Sequence, residues 1–373
     1  MLRLKPIHQQ VVVVVGASSG IGRATALRLA ELGASVVCAA RNQKGLDALV
    51  AEITRKRGVA LAVVVDVADA EQVKSLAERA VAAYGRIDTW VHLAATAIWA
   101  TAEQTQPAEY RRLLEVNLLG QIHGALAALP HLRREGRGAL IHVSSVEGVV
   151  AMPLTSAYAA SKHGLNGFVD SLRLELRREG APISVTTVMP AAIDTPIFQN
   201  ALTRLGVEPR GAAPVYDPEV VVRAIVHAAE HPVKEVVPGG AGLVLILAKR
   251  FAPRLVDAVL LTRVGFEAQR TSKPKPSSAP NNLFSPTPDE NLKIHGTLGA
   301  EALPTSLLTR LQTSGLARLR ERVEAPLLTA AARAVEALWA LRFPADAAVA
   351  TPKLPEARAR VAPPRAAKND RRR

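Results

Sequence analysis

Short apolar runs alternate with helical patterns along the first two thirds of this chain. The apolar runs are the candidate strands Val11–Val15, Ser35–Ala39, Leu61–Val65, Thr89–Leu93, Ala139–Val143 and Ile183–Val188. The helical patterns between them include Ile21–Leu32, Gln43–Arg57, Ala70–Tyr84, Ala108–Leu132 and Tyr158–Glu179. Continuous apolar strands are buried on both faces, and their alternation with helices favours right-handed crossovers and a parallel sheet. The sequence therefore predicts an α/β fold, a doubly wound parallel sheet of about seven strands that binds ligands beyond the carboxyl ends of its strands.

Composition is that of an ordinary globular protein with a basic excess. Of the 373 residues, 49% are hydrophobic, so a sizeable core can be buried. The single cysteine, Cys38, excludes a disulfide framework within one chain, and we therefore expect a cytoplasmic protein. Residues 351–373 hold eight basic and two acidic residues, which supply +6 of the net charge of +14. We interpret this tail as solvated and expect no specific nucleic-acid partner.

Three segments bear on membrane contact. Met1–Gln10 is polar and basic and lacks the layout of a signal peptide. Ala241–Ala248 is too short to span a bilayer, which takes about 20 apolar residues. With Phe251–Leu261 it could form an amphipathic surface helix, so the sequence leaves peripheral membrane contact open.

The first candidate strand runs directly into a glycine-rich turn and then into a helical pattern. Glycines at three positions allow a sharp turn and a close approach of the backbone to a pyrophosphate. The helix that follows aims its free N–H groups and positive dipole end at the anion. A buried strand before the glycines and a helix after them is the context that supports such a motif. The predicted cofactor contacts in this turn are Gly16, Ser18, Ser19, Gly20, Ile21 and Gly22.

A phenol and an ammonium group lie four residues apart at Tyr158 and Lys162. In a helix this spacing puts both side chains on one face. A free tyrosine has a pKa of about 10, too high for ready proton exchange at neutral pH, and a nearby cation favours the phenolate and lowers that pKa. The pair is therefore a candidate proton-transfer group.

The glycine spacing Gly-x-x-x-Gly-x-Gly and the Tyr158–Lys162 pair resemble the short-chain dehydrogenase/reductase family, over roughly Val11 to Val237. The resemblance implies an oxidoreductase that interconverts a carbonyl and an alcohol by hydride transfer. It implies that Tyr158 gives the proton and that Lys162 stabilises the phenolate and binds the nicotinamide ribose. Ser145 matches the serine that holds the substrate oxygen, and Asn117 matches the asparagine whose main-chain carbonyl holds a water linked to the lysine.

The end of the second candidate strand bears on the choice of nicotinamide cofactor. An acid there hydrogen-bonds the ribose 2′-hydroxyl of NAD and repels a 2′-phosphate. This chain has no acid at that point, and Arg41 offers a planar, bidentate donor for phosphate, with Ser18 as a further donor. We therefore expect NADP(H) in preference to NAD(H). The other cofactor contacts that the resemblance implies, besides Tyr158 and Lys162, are Asp66 at the adenine, Val67 beside it, Ala94, Pro190, Ile193, and Thr195 at the carboxamide.

Two segments depart from the family pattern. The usual Asn-Asn-Ala-Gly after the fourth strand is His92-Leu93-Ala94-Ala95, and the usual Pro-Gly after the sixth is Pro190-Ala191. Leu93 cannot make the hydrogen bonds by which an asparagine braces the sheet, and Ala95 and Ala191 add methyl groups near the cofactor. These changes predict weaker cofactor binding. They also leave open a nucleotide-binding protein without catalysis, such as a redox sensor or scaffold.

The substrate is not determined by the sequence. We expect a small-molecule carbonyl or alcohol in a pocket lined by Trp99, Glu147, Met152, Pro153 and the loop Ile197–Arg210, with the C-terminal segment able to close over it. We also expect a homo-oligomer. No metal is expected, because no cluster of His, Cys and Asp has metal-ligand spacing.

These features together predict the domain organisation. The predicted parts are a Rossmann-type dinucleotide-binding and catalytic domain over residues 1–237, an extension and Pro/Ser-rich connection over 238–300, a helical extension over 301–343 and a basic, disordered tail over 344–373. Thr271–Pro288 is interpreted as an exposed connection, and Leu307–Val323 and Leu327–Leu341 as helices. Whether these helices cover the main domain, pair with another subunit or lie on a surface stays open.

Overall fold

A computed structural model describes residues 2–314, apart from the side chain of Val264. Its strands are β1 (Val11–Val15), β2 (Ser35–Ala40), β3 (Val59–Val64), β4 (Thr89–His92), β5 (Ile98–Trp99), β6 (Gly138–Val143), β7 (Ile183–Val188), β8 (Leu202–Thr203), β9 (Val207–Pro209), β10 (Glu235–Val236) and β11 (Arg270–Pro274). Seven of them form one parallel sheet in the order β10-β7-β6-β4-β1-β2-β3. The order reverses at β1 and β4, so a crevice is expected at their carboxyl ends.

Helices cover both faces of this sheet. They are α1 (Gly20–Glu31), α2 (Gln43–Arg55), α3 (Ala70–Tyr84), α4 (Pro107–Leu114), α5 (Gly120–Arg134), α6 (Ser156–Arg178), α7 (Ile197–Asn200), α8 (Pro218–Glu230), α9 (Gly240–Phe251), α10 (Pro253–Leu260), α11 (Arg263–Phe266) and α12 (Leu307–Gln312). All five valines of β1 are buried, and alternate ones pack into the two separate apolar clusters on either side of the sheet. The predicted doubly wound α/β architecture is confirmed.

Two details of the sheet region differ from the sequence-based expectation. The seventh strand, β10, is only two residues long, which is too short to produce a recognisable apolar run. The predicted helix Ala108–Leu132 is divided by a π-helical turn, Glu115–Leu119, which lies between α4 and α5 and contains Asn117. Such turns leave the regular i→i−4 ladder and are frequent at functional sites.

The C-terminal extension packs onto the carboxyl end of the sheet. The segment Thr271–Pro288, interpreted as an exposed connection, is exposed at ten of its eighteen residues, but β11 pairs with β9, and Lys275, Asn282 and Leu283 are buried. Polar side chains and proline favour solvent exposure on average, but the side chains of Lys275 and Asn282 form hydrogen bonds within the fold. Of the predicted C-terminal helices, α12 confirms the start of Leu307–Val323; the rest, Leu327–Leu341 and the tail lie outside the described residues.

Candidate active site

The glycine turn between β1 and α1 is built at van der Waals limits. Gly16 has φ +93°, and a Cβ there would lie 2.6 Å from the backbone nitrogen of Ala94. A Cβ on Gly22 would lie 2.0 Å from the carbonyl oxygen of Gly16. Both positions therefore require glycine.

The N-terminus of α1 fits an anionic group. Ser19 is the N-cap residue but its side chain makes no capping hydrogen bond. Within residues 2–314, the N–H groups of Ile21 and Gly22 have no acceptor, while the N–H of Gly20 donates to the carbonyl of Lys293 at 2.8 Å. Unpaired N–H groups at the positive end of a helix are a donor set suited to a pyrophosphate.

A cavity of about 160 Å³ opens beside this turn, and we call it the nucleotide cavity. The predicted cofactor residues that line it are Gly16, Ser18, Ser19, Gly20, Ile21, Gly22, Arg41, Asp66, Val67, Ala94 and Thr195. The Asp66 carboxylate already has two hydrogen-bond partners within the protein. It accepts from the Arg112 guanidinium at 2.5 Å and from the N–H of Ala68 at 3.0 Å. The structure thus brings residues from the segments after five strands, β1, β2, β3, β4 and β7, to one cleft.

A segment of the extension, residues 275–298, lies along the rim of the nucleotide cavity, and we call it the strap. Arg41 donates to the carbonyls of Asn282 and Leu283. The Thr96 hydroxyl donates to the side-chain oxygen of Asn282 at 2.7 Å, and the Asn42 amide donates to the carbonyl of Thr287 at 2.9 Å. Asn282 and Thr287 also line the cavity. Sequence analysis did not identify the strap, whose only signal was its run of asparagines.

A second cavity of about 390 Å³ adjoins the first and is lined mostly by apolar side chains; we call it the substrate cavity. The predicted residues that line it are Ser145, Tyr158, Lys162, Pro190, Ile193, Thr195, Trp99, Glu147, Met152, Ile197 and Arg210. Pro153 lies outside this lining, and its carbonyl accepts from the Gln269 amide at 3.0 Å. The far wall comes from the extension, through Ala241, Gly242, Leu245, Val259, Leu260 and Gln269.

Tyr158 and Lys162 lie together on α6, as their spacing predicts. The Lys162 side chain is 1% exposed, its Nζ donates to the carbonyl of Val143 at 2.9 Å, and Nζ lies 5.5 Å from the centroid of the Tyr158 ring. Burial lowers the pKa of Lys162 to about 7, although the nearby Glu147 charge opposes that shift. Burial at this place therefore disfavours the charged ammonium form, and the Glu147 carboxylate favours it.

The expected lowering of the Tyr158 pKa by a cation is contradicted. Burial raises the pKa of the Tyr158 phenol, the negative charge of Glu147 raises it further, and a hydrogen bond with Ser145 lowers it. The loss of hydration of a phenolate in this enclosed site is the largest cause of the raised pKa. The phenol is therefore held in its protonated form.

Glu147 stands out as an acid in an apolar cavity. Its Oε2 accepts from the Thr155 hydroxyl at 2.5 Å, and its backbone N–H donates to Ser145 Oγ at 3.0 Å. Burial raises the pKa of Glu147 to about 7, against the lowering effects of Thr155 and Lys162. The carboxyl group therefore titrates near neutrality beside Tyr158.

Asn117 does not line either cavity. Its side chain accepts from the N–H of Thr96 at 2.8 Å and donates to the carbonyl of Thr96 at 2.9 Å. These two bonds fix the loop after β4, which carries Ala94 and Ala95 into the cleft. The water-holding role of its carbonyl stays a prediction.

The altered segment after β4 is braced by residues that sequence analysis missed. The Gln121 amide donates to the carbonyls of His92 at 3.2 Å and Val143 at 3.4 Å, joining β4 to β6. Burial lowers the pKa of His142 to about 3, so its ring is neutral; its Nδ1 lies 2.8 Å from Gln121 Oε1. Gly124 leaves room for the larger His92, since a Cβ there would lie 2.4 Å from His92 Nδ1.

Comparisons with known proteins agree with this arrangement. Residues 10–205 match the family model described as short chain dehydrogenase. The chain is 38% identical over 275 residues to the uncharacterized oxidoreductase YxnA of Bacillus subtilis, covering 73% of this chain and 77% of that one. It is 31% identical over 270 residues to dehydrogenase/reductase SDR family member 7B of Xenopus tropicalis, covering 69% of this chain and 86% of the relative.

A solved structure shares the fold. The alcohol dehydrogenase of the archaeon Thermococcus sibiricus, complexed with 5-hydroxy-NADP, superposes with a TM-score of 0.54 at 24% identity, covering 61% of this chain and 95% of that one. The chain belongs to the short-chain dehydrogenase/reductase family. It is accordingly an oxidoreductase of the CH–OH/C=O type that uses a nicotinamide dinucleotide and acts on a small molecule.

Proposed function

We propose that this protein is an NADP(H)-dependent oxidoreductase that interconverts a carbonyl and an alcohol, with Tyr158 as the proton donor. The observation that carries the proposal is the convergence of Tyr158, Ser145 and Lys162 on one cavity that adjoins the nucleotide cavity at Thr195. A reacting carbonyl in this cavity would lie within reach of both hydroxyl groups.

The preference for NADP(H) is supported by charge. Ala40, Arg41 and Asn42 line the nucleotide cavity where an acid would favour NAD(H). Burial lowers the pKa of the Arg41 guanidinium, but an arginine keeps its charge at any physiological pH. Its present acceptors are two neutral carbonyls, and a phosphate dianion is a stronger acceptor than a carbonyl.

The protein residues divide the work of proton transfer. A bound nicotinamide supplies or accepts the hydride. Ser145 and Tyr158 hold the substrate oxygen, and Tyr158 donates its proton to that oxygen. The Tyr158 phenol is protonated at neutral pH, the form needed for carbonyl reduction, and its raised pKa makes it a weaker acid than a free phenol. Lys162 stabilises the phenolate that remains, and Asn117 holds the loop that borders the cofactor.

The test is consumption of NADPH and NADH with a panel of aldehydes, ketones and quinones. We expect turnover with NADPH on at least one compound, and loss of at least about a hundredfold of it in Tyr158→Phe, the expected cost of removing a general acid. Tyr110→Phe is the matched control, because its hydroxyl bonds Ser156 outside both cavities. Dinucleotide binding with no turnover on any compound would favour the non-catalytic sensor instead.

Oligomeric state and cellular location remain predictions. Homo-oligomerisation is testable by light scattering of the full chain, and a cytoplasmic location by cell fractionation.

A further inference from the structure

Exposed apolar side chains are concentrated on the extension helices α9 and α10. Within residues 2–314, six of the sixteen exposed large apolar side chains lie between positions 244 and 261. They are Val244, Leu247, Phe251, Leu255, Val259 and Leu261, and we call this surface the α9–α10 face. Phe251 is 80% exposed and Leu255 is 65% exposed. Concentrated exposure of this kind marks an interaction site rather than ordinary surface.

The pattern along the two helices is amphipathic. Val244, Leu247 and Phe251 follow the i, i+3, i+7 spacing of one helical face. The opposite side of the same helices lines the substrate cavity through Leu245 and Leu260. Val259 belongs to both surfaces, since it is exposed and also lines the cavity. The α9–α10 face therefore borders the opening of the substrate cavity.

The charged residues on and beside α9 and α10 indicate which kind of surface the α9–α10 face would bind. Four basic residues and one acid lie between positions 244 and 263. Lys249 pairs with Asp257, whereas Arg250, Arg254 and Arg263 are exposed and form no ion pair within the described part of the chain. An apolar stripe with arginines beside it is typical of helices that lie in the plane of a membrane interface. Among the described residues, no helix is long and apolar enough to cross a bilayer.

The same charges disfavour two other occupants. A second copy docked symmetrically would bring the arginines of both copies together. Residues 315–373 carry thirteen basic and six acidic residues, so that segment would also place positive charge against positive charge. An anionic surface is complementary to both.

We propose that the α9–α10 face docks the protein on anionic lipid membranes, with its apolar side chains in the interface and its arginines at the headgroups. If the proposed carbonyl–alcohol activity holds, on which this consequence rests, the cavity opening would face the membrane and its substrate would be a lipophilic carbonyl or alcohol. Docking itself does not depend on that activity.

The test is co-sedimentation of the full chain with vesicles of phosphatidylcholine, with and without phosphatidylglycerol. We expect binding to the anionic vesicles that weakens with salt, and partitioning at least about tenfold weaker in the double variant Phe251→Asp/Leu255→Asp. Val59→Asp is the matched control: Val59 is 51% exposed, and β3 is at the opposite edge of the sheet from β10, which leads into α9. Binding that is absent, or that the double variant leaves unchanged because the basic tail carries it, overturns the proposal.

A second measurement identifies what covers the face. The only native cysteine, Cys38, is buried, so Leu255→Cys provides a selectively reactive thiol for an environment-sensitive dye. We expect a polar signal in buffer and a blue shift with anionic vesicles. A blue-shifted signal without vesicles would show that the chain itself or a second copy covers the face, and would overturn the proposal.

The two proposals fail separately. Tyr158→Phe should lose turnover but keep vesicle binding, and the Phe251→Asp/Leu255→Asp variant should keep turnover of a water-soluble carbonyl. Equal thermal stability of both variants and the wild type excludes misfolding as the cause of either loss.

Discussion

The two adjoining cavities are closed by the same C-terminal extension in different ways. Over the nucleotide cavity the strap makes hydrogen bonds, through the carbonyls of Asn282, Leu283 and Lys293. Over the substrate cavity α9 and α10 contribute apolar side chains, among them Leu245 and Leu260. Directional bonds suit a polar ligand of fixed shape, whereas apolar walls set size without fixing orientation. The contrast therefore predicts strict recognition of the dinucleotide and looser recognition of the substrate.

The largest effect should come from the glycine turn. Gly22→Ala places a methyl group 2.0 Å from the Gly16 oxygen, so the backbone must shift. We expect dinucleotide binding to weaken by about a hundredfold, the loss of one or two hydrogen bonds from the turn to a charged phosphate. Isothermal titration calorimetry measures the affinity. The control is Gly167→Ala on α6, where an added methyl group meets nothing within 4 Å, and the dinucleotide affinity should stay unchanged. Equal loss of affinity in the Gly22→Ala and Gly167→Ala variants would refute strict recognition at the turn.

Arg41→Ala tests whether Arg41 of the nucleotide cavity selects NADP(H) over NAD(H). Loss of a guanidinium bonded to phosphate should weaken NADPH binding by about tenfold to a hundredfold, with a much smaller effect on NADH. Fluorescence titration with each dinucleotide gives the ratio. Lys44→Ala is the control, because Lys44 pairs with Asp289 of the strap at the exposed surface and does not line the cavity. Equal weakening of NADPH and NADH would mean that Arg41 only holds the strap.

Glu147→Gln probes the one acid of the apolar cavity. Because the folded-state pKa of Glu147 is raised to about 7, the wild type binds an extra proton relative to its unfolded state between pH 4.5 and about 7. The stability linked to that proton is present at low pH and is lost as pH rises through 7. The variant should be about 3 kcal/mol more stable relative to wild type at pH 8 than at pH 4.5.

Urea unfolding at the two pH values measures this difference. Glu71→Gln, which changes an exposed acid at the start of α3, is the matched control. The same relative stability of Glu147→Gln at both pH values would contradict the raised pKa.

The smallest effect should come from one polar link on the substrate side. Trp99 Nε1 donates to Gln269 Oε1 at 3.0 Å, joining the cavity wall to the extension. Trp99→Phe removes this bond and part of the buried ring system, so unfolding should be easier by about 1–3 kcal/mol. Chemical denaturation measures it, with Trp90→Phe, whose Nε1 lies 3.5 Å from its acceptor, as control. A loss above about 3 kcal/mol would indicate that this side also depends on directional bonds.

The sequence predicted the sheet, the glycine turn and the Tyr158–Lys162 pair because each depends on local spacing. Five buried valines, glycines at fixed intervals and two side chains one helical turn apart have the same relation in any fold of this type. The two-residue strand β10 and the π-helical turn at Asn117 were missed, because neither changes the residue pattern around it.

The local sequence of this protein determined the parallel sheet, the phosphate-binding turn and the proximity of phenol and ammonium. The tertiary structure decided the pKa of that phenol, which depends on burial, on Glu147 and on Ser145. It also decided that the polar segment after Thr271 lies over a cleft and that Gln121 braces the altered strand end. The physical reason is the sequence distance over which each property is determined. Helix and turn spacing are set within a few residues, whereas desolvation and hydrogen-bond partners depend on segments far apart in the chain.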